Sequence, residues 1–242
     1  MKQSLLVLVA VLTASAASVS TAIAQNGKPN PAPAATKAEE AEAAYTRAIE
    51  KRTADILKVL DLSDPAKSAR VHNIIMAQYR ALRAWHDAND TKLKELDRMA
   101  GGTDKDGAKQ AQDQMGRIQA SLKTRHDEFL AKLSADLTPS QVEKVKDKMT
   151  YNKVEVTYNA YCEIVPNLTD PQKARILELL KEAREIAMDA GSAEEKSAVF
   201  RKYKGKINNY LSAQGHDVNK ATKEWNEKQK AKSDSKTAPP AE

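Results

Sequence analysis

The chain is poor in the residues on which several classes of protein depend. Its 242 residues include one cysteine, eight glycines, two tryptophans and two phenylalanines. Because Cys162 has no second cysteine to pair with, an intramolecular disulfide is excluded. A lone cysteine on an apolar helix face is usually a small buried hydrophobe, whereas a reactive thiol needs His or Lys close in space. The sequence favours the first interpretation.

Catalytic motifs are also missing. The sequence contains no Gly-x-Ser-x-Gly, no Gly-rich phosphate loop and no His-Glu-x-x-His. Its many carboxylates lie on predicted helix faces where the charges alternate in sign, so no acid–base pair stands out. The sequence therefore favours a protein with no catalytic residues and no cofactor, and leaves a lyase or hydrolase as the open alternative.

The four histidines give no pattern of metal ligands. They are His72, His86, His126 and His216. His86 and His126 fall on two neighbouring predicted helices, about five residues out of register, which is roughly 7 Å along the helix axis. Neither lies in a His-x-x-x-His or Glu-x-x-His pattern. We expect no metal site.

One apolar run is present, at the N-terminus. Met1 and Lys2 form a short positive region, an apolar stretch follows from Leu5 to Val19, and small residues end at Ala24. This pattern predicts a secretory signal peptide cleaved after Ala24, and hence a periplasmic or secreted protein. No cysteine follows that would carry a lipid. Since no other apolar run has spanning length, we expect no membrane span.

The chain is basic, with 39 basic and 33 acidic side chains and a formal net charge of +6. The alternating signs predict a solvated surface. The lysine-rich stretch from Lys220 to Lys236 leaves open a contact with anionic envelope surfaces. Nucleic-acid binding is not expected, because the chain has an export signal and no aromatic-and-basic platform.

The fold class predicted is all-α, with a long antiparallel helical hairpin followed by a bundle of shorter helices. Apolar residues recur at helical spacing, and a Gly-Gly-Thr-Asp turn from Gly101 to Asp104 separates two long helices. A capping Ser63 starts the first of them. Residues 150–157 are β-branched and polar, which predicts an irregular or extended link before a short helix from Tyr158 to Val165. The expected organisation is a signal peptide at 1–24, a disordered Pro-rich spacer at 25–36, a single helical domain at 37–232 (hairpin about 64–135, C-terminal helices 139–232) and a disordered tail at 233–242.

Two helix starts share the form Leu-Thr-x-x-Gln. They are Leu137 to Gln141 and Leu168 to Gln172. Each predicts a capping box, in which Thr caps the helix and Gln reaches back to the Thr amide. In an exported, basic, helical chain the pair also resembles the Spy and CpxP periplasmic chaperones, and that resemblance implies a concave face that holds unfolded envelope proteins.

A wider resemblance covers most of the chain. The stretches Ala54 to Leu60, Ala131 to Thr138, Val156 to Tyr161 and Phe200 to Leu211 are similar to the secreted bacterial family known as domain of unknown function 3826. The same holds for Met149 to Tyr151 and Ala187 to Ser192. This resemblance implies an extracytoplasmic protein that binds sugar.

Tyrosines and polar side chains cluster in three of these stretches and make the best candidate ligand site. Sugar rings stack on aromatic faces, while amides and ammonium groups bind hydroxyls. The alternative is that the tyrosines belong to the core and the asparagines bridge helices. The candidate residues are Tyr151, Tyr158, Tyr161, Lys202, Lys204, Asn208 and Asn209. The sequence leaves the ligand and the oligomeric state open, with carbohydrate or unfolded envelope protein as the expected partner.

Overall fold

The computed structural model describes residues 36–237, with side chains for residues 36–230. Over that range the chain forms eight α-helices and no strand, so it is all-α as predicted. The helices are α1 (Lys37–Leu60), α2 (Pro65–Ala100), α3 (Lys105–Asp136), α4 (Pro139–Met149), α5 (Lys153–Ile164), α6 (Asp170–Met188), α7 (Ala193–Ala213) and α8 (Val218–Thr237). None of the described helices is long and apolar enough to cross a membrane.

Both predicted ends fall largely outside the described residues. The signal peptide and the spacer up to residue 35 lie there, as do residues 238–242 of the tail. Helix α8 continues to Thr237 and therefore takes in the first five residues of the predicted tail.

Helices α2 and α3 form the predicted long hairpin. The Trp85 indole donates a hydrogen bond to Ser121 Oγ across it, at 2.9 Å. The cap of α2 is Asp64, whose carboxylate accepts from the Ala66 amide at 2.8 Å. The prediction of Ser63 was wrong by one position, because Pro65 takes the first helical position and the cap must directly precede it.

The apolar stripes meet in two hydrophobic clusters. The first is built from α1, α2, α3 and α4, with fully buried Ile49, Ile75, Leu133 and Val145. The second is built from the remaining four helices around side chains such as Ile176, Leu180, Ile207 and Leu211. Met188, at the end of α6, belongs to the first cluster, so α6 contributes to both cores.

The predicted irregular link at residues 150–157 is wrong. Only Thr150, Tyr151 and Asn152 lie outside helix, and α5 begins at Lys153. Its buried residues Val154, Thr157 and Tyr161 recur at helical spacing on one face. Burial of that face against the second cluster outweighs the weak helix propensity of β-branched residues.

A short connection joins α6 to α7. Helix α6 ends at Met188. Ser192 caps α7, with its hydroxyl accepting from the Glu195 amide at 3.1 Å. The Glu195 carboxylate accepts from the Gly191 amide at 2.8 Å, one residue before the cap, so Ser192 and Glu195 form only half of a capping box.

Candidate functional site

Four segments surround a concave surface made of two parts. Two adjoining hollows of about 480 and 360 Å³ share Arg52, Tyr79, Tyr151 and Lys196 in their linings. Tyr45 and Arg52 come from α1, Tyr79 and Arg83 from α2, Tyr151 from the α4–α5 turn, and Lys196 from α7. We call this surface the tyrosine–arginine cleft. Its size suits a small ligand, for which pockets of about 300–1,000 Å³ are usual.

The ring of Tyr151 is the most exposed aromatic face of the cleft, with 43% of the residue accessible. Tyr151 and Asn152 both have left-handed backbone, with φ of 59° and 54°. Such a conformation costs a bulky residue of the order of 1–3 kcal/mol and persists only when its surroundings impose it. Here the Asn152 amide donates to the Asp147 carbonyl at 2.8 Å, and the buried Thr150 hydroxyl donates to the Lys146 carbonyl at 2.9 Å. The turn therefore holds Tyr151 in place at the cleft.

The cleft wall between α1 and α2 is fixed by a second pair of tyrosines. The Tyr45 hydroxyl donates to the Tyr79 carbonyl at 2.8 Å, and the Arg83 guanidinium lies 4.3 Å from the centre of the Tyr45 ring. Arg83 also pairs with Glu42 at 2.7 Å. Tyr79 is buried, and burial raises the pKa of its hydroxyl to about 12. It therefore stays a neutral hydroxyl at physiological pH.

Lys196 lies at the base of the cleft and is only 6% exposed. Its ammonium donates to the carbonyls of Ala187 and Met188 at 2.7 and 2.9 Å. It thereby caps the end of α6, where a cation also interacts favourably with the helix dipole. Burial lowers the pKa of Lys196 to about 8. At neutral pH the ammonium form still predominates.

The cleft is rich in positive charge. Its lining contains five cations, namely Arg52, Lys58, Arg83, Lys148 and Lys196, and one carboxylate, Asp55. Asp55 is engaged by Lys58 at 3.0 Å. Among the residues whose side chains are described, Arg52 and Lys148 have no ion-pair or hydrogen-bond partner for their charged groups. Two of the five cations therefore have no polar partner in the described part of the protein, and a third, Lys196, is held only by neutral carbonyls.

A smaller hollow holds three of the sequence-predicted site residues. Tyr161, Lys204 and Asn208 line a space of about 210 Å³ between α5, α7 and α8. The Tyr161 hydroxyl donates to Asn208 Oδ1 at 2.6 Å and lies 3.2 Å from the Lys204 carbonyl. The Tyr161 ring is buried, and burial raises the pKa of its hydroxyl to about 12.

The seven predicted residues do not share one site. Tyr151 lies in the tyrosine–arginine cleft, apart from the three in the smaller hollow. Tyr158 is half-buried and packs against the second hydrophobic cluster. Lys202 and Asn209 are exposed and line none of the hollows described here. Their role in binding stays a prediction.

Sequence reasoning missed Tyr79, Arg52 and Lys196. Arg52 lies between predicted apolar positions of α1, and Lys196 lies in the charged first turn of α7. The one local signal was the spacing of Tyr79 and Arg83, which lie four residues apart and therefore share one face of α2. Nothing local indicated that the turn at Tyr151 faces these helices, since that placement depends on the packing of α4 against the rest.

A separate polar cluster joins the hairpin to the end of α6. The His126 Nδ1 donates to the Asp189 carboxylate at 2.8 Å, while His86 Nε2 donates to the Asp189 carbonyl at 2.7 Å. His126 Nε2 also lies 3.5 Å from Glu185. We call Asp189 with these two histidines the histidine–aspartate junction. The two histidines meet one residue despite their offset along the hairpin, because they reach different atoms of Asp189.

The junction has perturbed proton affinities. Hydrogen bonds to Asp189 and then to Glu185 raise the pKa of His126 to about 9. Burial would raise the pKa of Glu185, but hydrogen bonds from His126 and Lys146 outweigh it and lower the value to about 2. His126 is therefore an imidazolium at neutral pH. Among the described residues no group of three or more His, Cys, Asp or Glu side chains is arranged to hold a metal ion.

These features define an all-helical protein with a cationic, tyrosine-lined cleft. The family model described as "Protein of unknown function (DUF3826)" matches residues 46–231, most of the chain. The chain belongs to this family. None of the curated proteins compared with it shows significant sequence similarity.

The comparisons do not support the predicted similarity to Spy and CpxP. Both Leu-Thr-x-x-Gln motifs act as helix caps, since Thr138 with Gln141 and Thr169 with Gln172 form complete capping boxes. Gln141 also donates to the Leu60 carbonyl at 3.1 Å and so links α4 to the end of α1. Local helix chemistry accounts for the motifs.

Proposed function

We propose that this protein is an exported, non-catalytic carbohydrate-binding protein and that the tyrosine–arginine cleft is its binding site. The observation that carries the proposal is the exposed Tyr151 ring, which projects from a hydrogen-bonded turn at a cleft of ligand size. A sugar ring can stack on that face while the neighbouring charged and hydroxyl groups bind its hydroxyls. The backbone of the turn is already fixed, so binding does not have to order it.

The cleft is a better candidate than the smaller hollow for two reasons. At about 210 Å³ the smaller hollow falls below the usual range for ligand pockets. Its tyrosine hydroxyl is also committed to Asn208 and the Lys204 carbonyl, and its ring is buried. The exposed ring and the larger volume both occur in the cleft.

The binding test is a calorimetric titration of the purified protein with a panel of oligosaccharides. We expect saturable binding, and an affinity loss of about tenfold or more for Tyr151→Ala, which corresponds to about 1.4 kcal/mol. Tyr161→Phe, which removes the hydroxyl that spans the smaller hollow, is the matched control and should bind like wild type. A loss in Tyr161→Phe with none in Tyr151→Ala would place the site in the smaller hollow instead.

An aggregation assay separates this proposal from a chaperone function. A holdase suppresses the aggregation of an unfolded client at a near-equimolar ratio, whereas a saccharide-binding protein leaves it unchanged. If the protein suppresses client aggregation and binds none of the saccharides in the panel, the proposal is contradicted.

Export has its own test, because it depends on the N-terminal pattern and not on the cleft. We expect the intact mass of the protein recovered from the extracytoplasmic fraction of an expressing bacterium to correspond to a chain that begins at Gln25. Retention of Met1 in a cytoplasmic product would contradict export.

A further inference from the structure

We infer that the tyrosine–arginine cleft selects an acidic saccharide, one that carries carboxylate or sulfate groups. This inference rests on the proposed function and adds the chemical class of the ligand. It follows from the distribution of charge in the lining, which the need to stack a neutral sugar does not explain.

Positive charge predominates in the lining of the cleft. Five cations and one carboxylate line the cleft, and the carboxylate is engaged by Lys58. The part of the cleft nearest α7 contains Arg52, Arg83 and Lys196 with no carboxylate in its lining. Arg83 pairs with Glu42 outside the lining, so the uncompensated charges there are those of Arg52 and Lys196. Like charges in a partly enclosed space repel, and the field they produce concentrates anions from solution.

The surroundings of Arg52 also favour an anionic ligand. Arg52 lines both parts of the cleft, together with Tyr79 and Lys196. Yet among the described side chains it has no carboxylate partner. A free guanidinium presents several N–H groups in a planar fork that matches a carboxylate or sulfate.

Another concave surface of the same chain lacks this excess of positive charge. The hollow between α3 and α6 contains Lys123 and His126, but also Asp127, Glu185 and Asp189. Lys123 pairs with Asp127, and His126 pairs with Asp189. A basic chain therefore does not make every hollow cationic, and the excess in the tyrosine–arginine cleft is local.

The position of Lys196 strengthens the case. The carboxylates that act on it, Asp189 and Glu195, do not line the cleft. Its ammonium is held by two carbonyls rather than by an anion. A bound anionic group would therefore meet a positive potential at the base of the cleft as well as at its wall.

The experiment compares saccharides that differ only in charge. Oligomers of polygalacturonate, alginate and hyaluronan are each titrated into the purified protein beside a counterpart whose carboxyl groups have been methyl-esterified or reduced, and a sulfated oligosaccharide is paired with its desulfated form. We expect at least one acidic member to bind about tenfold or more tightly than its neutral counterpart at low salt. That preference should shrink when the salt is raised from about 50 to about 500 mM, because screening weakens charge interactions.

Two variants locate the preference. Arg52→Gln removes a cation that has no partner in the described protein, so the fold loses no ion pair, and the acidic preference should fall to about threefold or less. Lys181→Gln removes an exposed lysine of α6 that lines neither part of the cleft and should leave the preference unchanged.

The outcomes separate the inference from the function on which it rests. Binding of neutral and acidic members with equal affinity would overturn the inference and leave the carbohydrate-binding function standing. An equal loss of preference in Lys181→Gln and Arg52→Gln would also overturn it, because the effect would then come from net charge. If no saccharide binds, both fail.

Discussion

Replacing His126 with Gln tests how strongly the histidine–aspartate junction ties the hairpin to α6. The imidazolium pairs with Asp189 at 2.8 Å, and its side chain is 12% exposed. The pKa of His126 is raised from 6.5 to about 9. Since each pKa unit corresponds to 1.36 kcal/mol, the protonated form contributes about 3 kcal/mol to the free energy of unfolding.

The dependence on pH has a definite sign. Below about pH 6.5 the folded and unfolded chains both hold the proton on His126, and the full contribution is present. As pH rises from 6.5 to 9 the unfolded chain loses its proton first, so this stabilisation declines, and it is gone once the folded chain has lost its proton as well. His126→Gln should therefore lower the free energy of unfolding by about 3 kcal/mol at about pH 6 and by much less at about pH 9.5.

The assay is urea denaturation of wild type and variant, followed by circular dichroism, at several values of pH between these limits. The difference between the two curves is the informative quantity, because Lys196 also titrates in this range. His72→Gln is the control, since His72 pairs with Glu50 in a more exposed setting and should cost less than about 1 kcal/mol. A His126→Gln effect that is equal at the two ends of the pH range would refute the reasoning.

Two further pairs of variants test packing and charge. A Cβ on Gly191 would lie 2.9 Å from the His86 ring, which two hydrogen bonds hold in place, so Gly191→Ala should cost about 1–3 kcal/mol of unfolding free energy. A Cβ on Gly116, in the middle of α3, would meet nothing within 4 Å, so Gly116→Ala should raise the free energy of unfolding by about 0.5–1 kcal/mol. Urea midpoints of the two glycine variants that move in the same direction would contradict this. The Arg184 side chain is 3% exposed and forms ion pairs with Glu143, Asp147 and Glu185. Arg184→Met should therefore lower the free energy of unfolding by about 3 kcal/mol in the same assay. The exposed Arg175→Met should cost less than about 1 kcal/mol, and equal losses would contradict the role of burial.

Helix chemistry could be predicted from the sequence because its signals are local. The Thr138 and Thr169 caps, the turn after Ala100 and the hairpin were all predicted from residues within a few positions of one another. Where local and tertiary preferences compete, the prediction was wrong. The β-branched residues before Tyr158 favour extended backbone, but burial of Val154 and Thr157 makes them helical.

The cleft could not be predicted from the sequence because its parts come from four distant segments. Tyr151 was predicted as a site residue from its neighbours in the chain, but its partners Arg52 and Tyr79 lie on helices that precede it by more than seventy positions. The same holds for Asp189, which His86 and His126 reach from different helices. Contacts of this kind depend on how the helices pack against one another. The periodicity of the sequence predicts only which face each helix buries.

The most direct test of the central claim is hydrogen–deuterium exchange by mass spectrometry, with and without the tightest-binding saccharide from the panel. We expect slower exchange of the α4–α5 turn at residues 150–152 and of residues 190–193 at the start of α7. Residues 204–208 beside the smaller hollow should exchange at an unchanged rate. Protection confined to residues 204–208, or no protection of the turn at saturating saccharide, would contradict the assignment of the tyrosine–arginine cleft as the binding site.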